Sequence, residues 1–187
     1  MTYEEQYRKL LIDIIKNGDT RKDRTGVGTK ALFNKQLNIQ LLTKSKLGSN
    51  KITGENFPIL SGKHMSQKIF DTEFEWFMRG ETNIQRFKDN NVTIWDNWAT
   101  PEGDLGPVYG YQLRNFNGQG IDQLKNLIEG INEDRHGRRH IISLWNPAMI
   151  QDMALPPCYL YFQFYINHGM INMFVVQRSG DMFLGVP

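Results

Sequence analysis

Cys158 is the residue of this chain whose type and setting best suit nucleophilic chemistry. It is the single cysteine among 187 residues and follows two prolines in the segment Leu155-Pro156-Pro157-Cys158-Tyr159. The prolines restrict φ just before the thiol and a strand-like run begins just after it, so the direction of its side chain is well defined. A buried core cysteine is the alternative, because free cysteine is among the most buried residue types. A reactive thiolate would also need cationic neighbours.

Arginines at the edges of loops and strands are candidates for an anion site. Each stands beside small or hydroxyl residues: Arg24 before Thr25-Gly26, Arg138 and Arg139 after Gly137, and Arg178 before Ser179-Gly180. A guanidinium fork matches two oxygens of a phosphate monoester, so the pattern suits such a ligand, and ordinary solvated arginines are the alternative. The glycine-rich loop at 26–28 is not a P-loop, since no Gly-Lys-Ser/Thr closes it, and it does not complete a dinucleotide fingerprint.

Glu73 is predicted to lie in the apolar stripe of a helix over residues 65–79. Helical spacing places four further residues on the same face: Ile69, Trp76, Phe77 and Gly80. A carboxylate inside such a stripe has a raised pKa or a dedicated partner, which makes it a candidate general acid or base. A boundary glutamate that reaches solvent is the alternative.

Aromatic residues supply a third kind of candidate. Trp95 and Trp98 would either pack in the core or form a face on which a flat heterocycle stacks. The segment 104–110 is interpreted as a turn that presents Tyr109. The four histidines have no mutual metal-ligand spacing and are interpreted as structural or surface residues: His64, His136, His140 and His168.

The elements that must position these residues follow from local patterns. Helices are predicted over residues 2–17, where Thr2 and Glu5 fit a capping box and Gly18 caps the other end, over 65–79 ending at Gly80, and over 121–131. Strands are predicted over 140–145, 159–166 and 171–176, with a turn at 167–169, and a polar, exposed excursion is predicted over 43–56. The run 159–166 scarcely alternates, so helices and a second copy of the chain are expected to cover its two faces. Together these patterns predict an α+β fold with helices layered on a mixed β-sheet, in a single domain over 1–187.

Composition excludes several classes of protein. The 22 Lys plus Arg against 20 Asp plus Glu leave a net charge of +2, which argues against a nucleic-acid binder that works by massed basic charge. No apolar run approaches the roughly 20 residues of a membrane span, and one cysteine excludes an internal disulfide and a zinc site with two thiolates. A cytoplasmic protein without a metal is expected. The apolar end of the chain, Phe183-Leu184-Gly185-Val186-Pro187, resembles an interior segment, so the chain is expected to be a fragment.

The combination of these motifs resembles the thymidylate synthase family. The resemblance rests on segments that occur in the family's order along nearly the whole chain: 23–29, Glu73 to Phe77, 91–96, 104–110, Arg138-Arg139, 155–158 followed by Gln163-Phe164-Tyr165, and 177–187. It implies a homodimeric enzyme that methylates dUMP to dTMP, with 5,10-methylenetetrahydrofolate as the donor of the one-carbon unit and of a hydride.

The resemblance also implies roles for individual residues. Cys158 would add to C6 of the pyrimidine, with Glu73 and Tyr109 organising proton transfers and Arg178 and Asp181 also at the reacting centre. The substrate would be held by Arg24, Gln177, Arg178, Ser179, Gly180 and Asp181, and by Arg138 and Arg139 donated from the partner subunit. The reduced folate would meet Lys63, Ser66, Ile94, Trp95, Trp98, Leu155, Asp181, Leu184 and Gly185.

The chain departs from the family's pattern at three places. Tyr159 follows the cysteine where the family usually has His, and Ser66 stands where a folate-contacting His is common. The chain also stops before the Asn that reads the pyrimidine edge, so this polypeptide alone is expected to be inactive or weak. Because that Asn is missing, the choice between dUMP and dCMP stays open.

Three other functions remain alternatives. A pyrimidine hydroxymethylase would end the reaction with water in place of hydride, although retention of both Trp95 and Trp98 favours reductive methylation. An inactive fragment could act only as a dimer or RNA-binding partner. A cysteine hydrolase pairing Cys158 with His140 or His168 is the least favoured, since no oxyanion loop or orienting Asn is apparent.

Overall fold

The computed structural model describes residues 1–22, 26–44, 52–55 and 58–186. These fall into two compact units, one made of Met1–Met65 with Asp181–Pro187 and the other of Ser66–Gly180. This division does not test the prediction of a single domain over 1–187, which stays a prediction. Among the described residues, none of the helices has the length and apolar character that a membrane crossing requires.

The first unit is built on one long helix, α1 (Tyr3–Asn17). The Thr2 hydroxyl accepts a hydrogen bond from the Glu5 amide and the Glu5 carboxylate accepts one from the Thr2 amide, so the predicted capping box is confirmed. Two antiparallel hairpins follow: β1 (Asp19–Arg21) with β2 (Thr29–Ala31), and β3 (Leu42–Lys44) with β4 (Ile52–Glu55). The second hairpin overlaps the predicted excursion at 43–56, of which residues 45–51 and 56 lie outside the described residues.

The helices of the second unit surround its core. They are α2 (Gln67–Arg79), α3 (Gln85–Asp89), α4 (Tyr109–Arg114) and α5 (Gln123–Glu133), with a single 3-10 turn at Ile150–Asp152. The Ser66 hydroxyl caps the start of α2, and Gly80 ends it with φ +71, as a left-handed C-cap requires. The predicted helices at 65–79 and 121–131 are confirmed to within two residues.

The strands of the second unit form one antiparallel sheet in the order β5 (Ile141–Ser143), β6 (Tyr159–Asn167), β7 (Met170–Gln177). The turn between β6 and β7 has His168 and Gly169 at its centre, both with positive φ, as a two-residue hairpin loop demands. One face of this sheet packs on the core through Ile142, Phe162 and Phe164. The core itself gathers side chains from every helix and from β5, and its most buried members are Trp76, Ile84, Phe87, Leu105 and Val108.

The α+β class is confirmed. The described strands differ from the expected mixed sheet, because they form three separate antiparallel sheets in which most neighbours are joined by local connections. A second difference concerns Tyr109. The turn over 104–110 ends before this residue, since Gly106 has φ +73 and Tyr109 opens α4 with only 5% of its surface exposed. Tyr109 therefore faces the interior of the second unit.

Candidate active site

The peptide groups on both sides of Cys158 are fixed by hydrogen bonds. Its amide N–H donates to the Tyr109 hydroxyl at 2.9 Å, and its carbonyl accepts from the Arg178 amide at 2.9 Å. The first bond ties the start of β6 to the first turn of α4, and the second ties it to the end of β7. The half-buried thiol therefore stands on a backbone that three elements hold in place.

The Arg178 side chain reinforces the same segment. Its Nε donates to the Pro157 carbonyl at 2.9 Å and its Nη2 to the Pro156 carbonyl at 2.9 Å. Its guanidinium carbon lies 5.8 Å from the centre of the Trp145 ring, within the range of a cation–π contact. Two of the five N–H donors of the guanidinium are used in these bonds. The remaining donors are available to an anion while the group stays attached to the Pro-Pro-Cys segment.

Glu73 has both properties that its place in an apolar stripe predicts. It projects from α2, and its Oε1 accepts a 2.9 Å hydrogen bond from the indole N–H of Trp95. Burial raises the pKa of the Glu73 carboxyl, and the Trp95 bond only partly opposes this effect. The side chain can therefore hold a proton at a higher pH than an ordinary glutamate and can release it to a neighbouring group.

A tyrosine pair connects Glu73 to the cysteine. The Tyr109 ring lies 5.0 Å from Phe77, 6.2 Å from Trp95 and 6.1 Å from Tyr159, measured between ring centres. Burial raises the pKa of the Tyr109 hydroxyl, which stays neutral and accepts from the Cys158 amide. Burial also raises the pKa of Tyr159, the charge of Glu73 adds to that effect, and a hydrogen bond with the Gln177 side chain opposes it.

Tyr159 is the member of this group to which sequence reasoning gave no role. The signal was present, because Tyr159 is directly attached to the candidate nucleophile and occupies a position where the resemblance leads one to expect His. Tyr159 lies close enough to Glu73, Cys158 and Gln177 for each of them to influence its pKa, which burial raises first of all.

The second unit thus brings together seven side chains of the candidate site: Glu73, Trp95, Tyr109, Cys158, Tyr159, Gln177 and Arg178. Ser179 and Gly180 follow directly and are exposed. Arg138 and Arg139 lie elsewhere in the chain order, in the exposed loop between α5 and β5. Among the residues that the structure describes, no hydrogen bond or ion pair links either arginine to the seven.

The residues that the resemblance assigns to the folate differ in how far their side chains are exposed. Trp95 is buried in the core with 7% of its surface exposed, and Trp98 and Leu155 pack partly buried against that core. Ile94 is 42% exposed, and Ser66 serves as the N-cap of α2. The partly exposed apolar surfaces of Ile94, Trp98 and Leu155 suit a flat organic ring system, whereas little of Trp95 is accessible to a ligand.

The first unit holds the other predicted site residues. The Asp181 carboxylate accepts hydrogen bonds from the amides of Phe183, at 2.8 Å, and Leu184, at 2.6 Å, so it caps the turn that follows it. The Lys63 ammonium donates to the Phe183 carbonyl and lies 5.0 Å from its ring centre. Leu184 and Gly185 are exposed. Arg24 lies outside the described residues, so its predicted role stays a prediction.

A metal-binding cluster is not found in the described part of the chain, where no group of three or more His, Cys, Asp or Glu side chains could hold an ion. The described side chains of the site supply a thiol, a carboxylic acid of raised pKa, phenols and a guanidinium. This set suits addition of a thiolate to an electrophilic carbon with a nearby proton donor.

Comparison with known families gives one finding. The family model described as "Thymidylate synthase" matches residues 5–187, which is nearly the whole chain. The α+β fold of helices and antiparallel strands is consistent with that match. The chain belongs to the thymidylate synthase family, and this membership supports an enzyme of methyltransferase type with a function in dUMP methylation or a related pyrimidine modification.

Proposed function

We propose that this chain carries the catalytic machinery for reductive methylation of dUMP to dTMP, with 5,10-methylenetetrahydrofolate as cosubstrate. The observation that carries the proposal is the anchoring of Cys158 between Tyr109 and Arg178, with Glu73 in a desolvated position of the same group. Family membership supports the coarser function, and this arrangement supports the covalent route.

Cys158 acts as the nucleophile. Its thiolate adds to C6 of the uracil ring, and the electron pair of the C5–C6 double bond moves toward C5 and the C4 carbonyl. C5 thereby becomes an enolate-like carbon nucleophile, which is a covalent route around an unreactive ring C–H. The Arg178 bonds to the Pro156 and Pro157 carbonyls hold the segment that aims the thiolate.

Glu73 supplies and removes protons at the C4 carbonyl side of the pyrimidine. A carboxyl of raised pKa can donate a proton as negative charge develops on that oxygen and take it back as the charge collapses. Tyr109 stays neutral because its pKa is raised, so it orients the Cys158 amide without competing for protons. Tyr159 and Gln177 complete the polar boundary of the same region.

The 5′-phosphate of dUMP is bound by arginines. Arg178 offers its unused donors together with Ser179, and Arg24 belongs to the same set by resemblance. Arg138 and Arg139 act from the partner subunit. Both are exposed, and neither side chain takes part in an ion pair within the described residues, so each is available to an anion of another chain.

Methylenetetrahydrofolate would supply the one-carbon unit and the hydride when bound. The partly exposed apolar surfaces of Ile94, Trp98 and Leu155 would contact its ring system and exclude water from the reacting carbon. By resemblance alone, Lys63, Asp181, Leu184 and Gly185 are also proposed as folate-binding residues.

The homodimer is proposed to form through the sheet of the second unit. On the face of β6 and β7 that carries Tyr165 and Phe174, these two side chains are 59% and 47% exposed, and Ile141 of the adjoining β5 is 47% exposed. Exposed large apolar groups on one face are typical of a surface that another chain covers. A second copy of this chain is proposed as the partner that covers this face, because Arg138 and Arg139 are proposed to act from a partner subunit.

The test of the reaction is a covalent trap. Incubation with 5-fluoro-dUMP and 5,10-methylenetetrahydrofolate should add the mass of both compounds to the protein, because fluorine at C5 blocks the proton loss that would release the adduct. Intact-mass spectrometry of the full-length protein is the measurement. The protein should form the adduct and turn over dUMP.

Cys158→Ser should abolish the adduct. Alkylation of the wild type by iodoacetamide confirms in parallel that the thiol is intact. An accessible wild-type thiol that forms no adduct would favour an inactive protein that acts only as a partner. A 5-hydroxymethyl product without dihydrofolate would instead assign the chain to the pyrimidine hydroxymethylases.

A further inference from the structure

His140 lies at the junction between the arginine-bearing loop and the sheet. The loop runs from residue 134 to residue 140, between the end of α5 and the start of β5, and its arginines Arg138 and Arg139 are exposed. His140 is different, since only 6% of its surface is exposed. The loop therefore ends on a buried imidazole directly after two exposed cations.

The imidazole closes the loop with a hydrogen bond. Its Nε2 lies 2.8 Å from the backbone oxygen of Asp134, at the other end of the loop. A carbonyl oxygen can only accept, so Nε2 carries the proton and donates it. The same oxygen accepts from the Gly137 amide at 3.0 Å, and the His140 carbonyl accepts from the Phe164 amide of β6 at 2.8 Å. One residue thus joins the start of the loop to the sheet.

Two glycines leave the space that the ring occupies. A Cβ added to Gly137 would lie 3.0 Å from Nε2 and 3.1 Å from Cε1 of His140, and one added to Gly130 of α5 would lie 3.7 Å from Nδ1. The ring is therefore packed between the last turns of α5 and the loop. Beside it, a cavity of about 330 Å³ is lined by Gly137, Arg139 and His140 among others, and it offers room into which the loop could shift if the ring were lost.

We infer that His140 is a positioning residue for Arg138 and Arg139, which holds the loop so that both guanidinium groups face outward to bind the phosphate of a nucleotide in the partner subunit. The inference rests on the proposed function. The physical reason is that binding to an ordered loop does not have to supply the free energy of ordering it. Without the His140 hydrogen bond, nucleotide binding itself would have to order the loop, so the affinity should fall.

The experiment compares His140→Leu with His140→Gln. Leu fills the buried space without a donor, whereas the Gln amide nitrogen lies as many bonds from Cα as Nε2 of His and can donate to the Asp134 oxygen. His136→Leu is the matched control, because His136 is exposed in the same loop and only its backbone amide takes part in the loop's hydrogen bonds. All variants would be made in the full-length protein.

The first measurement is nucleotide affinity. His140→Leu should weaken dUMP binding by about tenfold and leave binding of deoxyuridine, which has no phosphate, unchanged. His140→Gln and His136→Leu should bind dUMP within about twofold of wild type. In a background of Arg138→Ala and Arg139→Ala, His140→Leu should have no further effect on dUMP binding. Equal weakening of dUMP and deoxyuridine, or an effect that persists without the arginines, would overturn the inference.

The second measurement does not depend on the nucleotide. Trypsin cleaves after arginine, so the rate of cutting at Arg138 and Arg139 reports how often the loop opens. His140→Leu should be cut faster than wild type, and His140→Gln and His136→Leu at the wild-type rate. Identical rates in all four proteins would refute the inference even if the wild type proved unable to bind dUMP. Faster cutting with unchanged dUMP affinity would also overturn it, because the ring would then be structural only.

Discussion

At the scale of single residues, Glu73 combines two demands that oppose each other. A carboxyl that exchanges protons with a pyrimidine needs a desolvated place, and desolvation raises its pKa and makes its charged form costly to the fold. The 2.9 Å bond from Trp95 partly relieves this cost while keeping the carboxyl in a fixed orientation. Glu73 is therefore a residue at which stability and activity are expected to conflict.

The substitution Glu73→Gln should lower turnover and raise stability. Turnover should fall by about 10²–10⁴-fold, the range for loss of a general acid or base. The folded-state pKa of Glu73 lies above its unfolded value. The contribution of Glu73 to stability is therefore full below the unfolded pKa and is lost as pH rises through the folded pKa. Gln cannot ionise and still accepts from Trp95, so the Tm of the variant should exceed that of wild type at pH 8.

The gap in Tm should close as the pH is lowered below about 4.3, the ordinary pKa of a glutamate, because the wild-type carboxyl then becomes protonated in both states. Differential scanning calorimetry across that range is the measurement. Glu75→Gln is the control on the same helix, since the Glu75 side chain is 57% exposed and contacts Arg86 at 3.1 Å. A variant at position 73 that is less stable than wild type at pH 8 would contradict the argument.

At the scale of elements, a buried amide network joins α4, α5 and β5. Gln112 is fully buried, its Nε2 donates to the Pro107 carbonyl at 2.8 Å, and its Oε1 accepts from Nδ2 of Asn146 at 3.0 Å. Gln123 bridges α4 and β5 by donating to the carbonyls of Gln112 and Ser143, both at 2.7 Å. These bonds hold α4, whose first residue is Tyr109, against the strand that follows the arginine loop.

Gln112→Leu should destabilise the second unit without touching the reacting groups. Each buried partner left unpaired costs about 1–3 kcal/mol, and each kcal/mol corresponds to roughly 2–4 °C in Tm for a chain of this size. Thermal unfolding followed by circular dichroism is the measurement, and Gln119→Leu, at an exposed position nearby, is the control. Unfolding of the Gln112→Leu protein at the wild-type temperature would show that the network contributes specificity of packing and little net stability.

At the scale of the whole molecule, the two faces of the three-stranded sheet differ in what covers them. On one face, Phe162 and Phe164 pack partly buried against the core of their own unit. The other face exposes Ile141, Tyr165 and Phe174, and its Tyr161 and Phe174 rings lie 6.3 Å apart between centres. This difference is the basis for proposing that a second copy of the chain completes both the core and the phosphate site.

Phe174→Glu should convert a dimer to a monomer. A carboxylate at the centre of an apolar interface would have to be desolvated without a partner, which is unfavourable by several kcal/mol. Sedimentation-velocity ultracentrifugation measures the change, and activity should fall with it because Arg138 and Arg139 would no longer reach a partner. Met173→Glu is the matched control, since Met173 is 57% exposed on the same strand but on the opposite face. A wild-type protein that sediments as a monomer, or a Phe174→Glu monomer with full activity, would contradict the proposed assembly.

The sequence alone determined the features that depend on residues within one or two turns of each other. The capping box of Thr2 and Glu5, the end of α2 at Gly80 and the hairpin turn at His168-Gly169 follow from backbone chemistry that is local. The motifs around Cys158 and Arg178 likewise indicated the family that the match over residues 5–187 shows. The apolar stripe of α2 predicted that Glu73 would have a raised pKa or a dedicated partner.

Only the tertiary structure decided which partners those residues have. Trp95 bonds Glu73 across 22 positions, Tyr109 receives the Cys158 amide across 49, and the His140 ring closes the arginine loop where its sequence indicated no specific role. Periodicity predicts which face of an element is buried, but it carries no information about which distant element covers that face. That choice depends on how the side chains of several elements fill one volume while every buried polar atom finds a partner, and this condition is set by the packed chain as a whole.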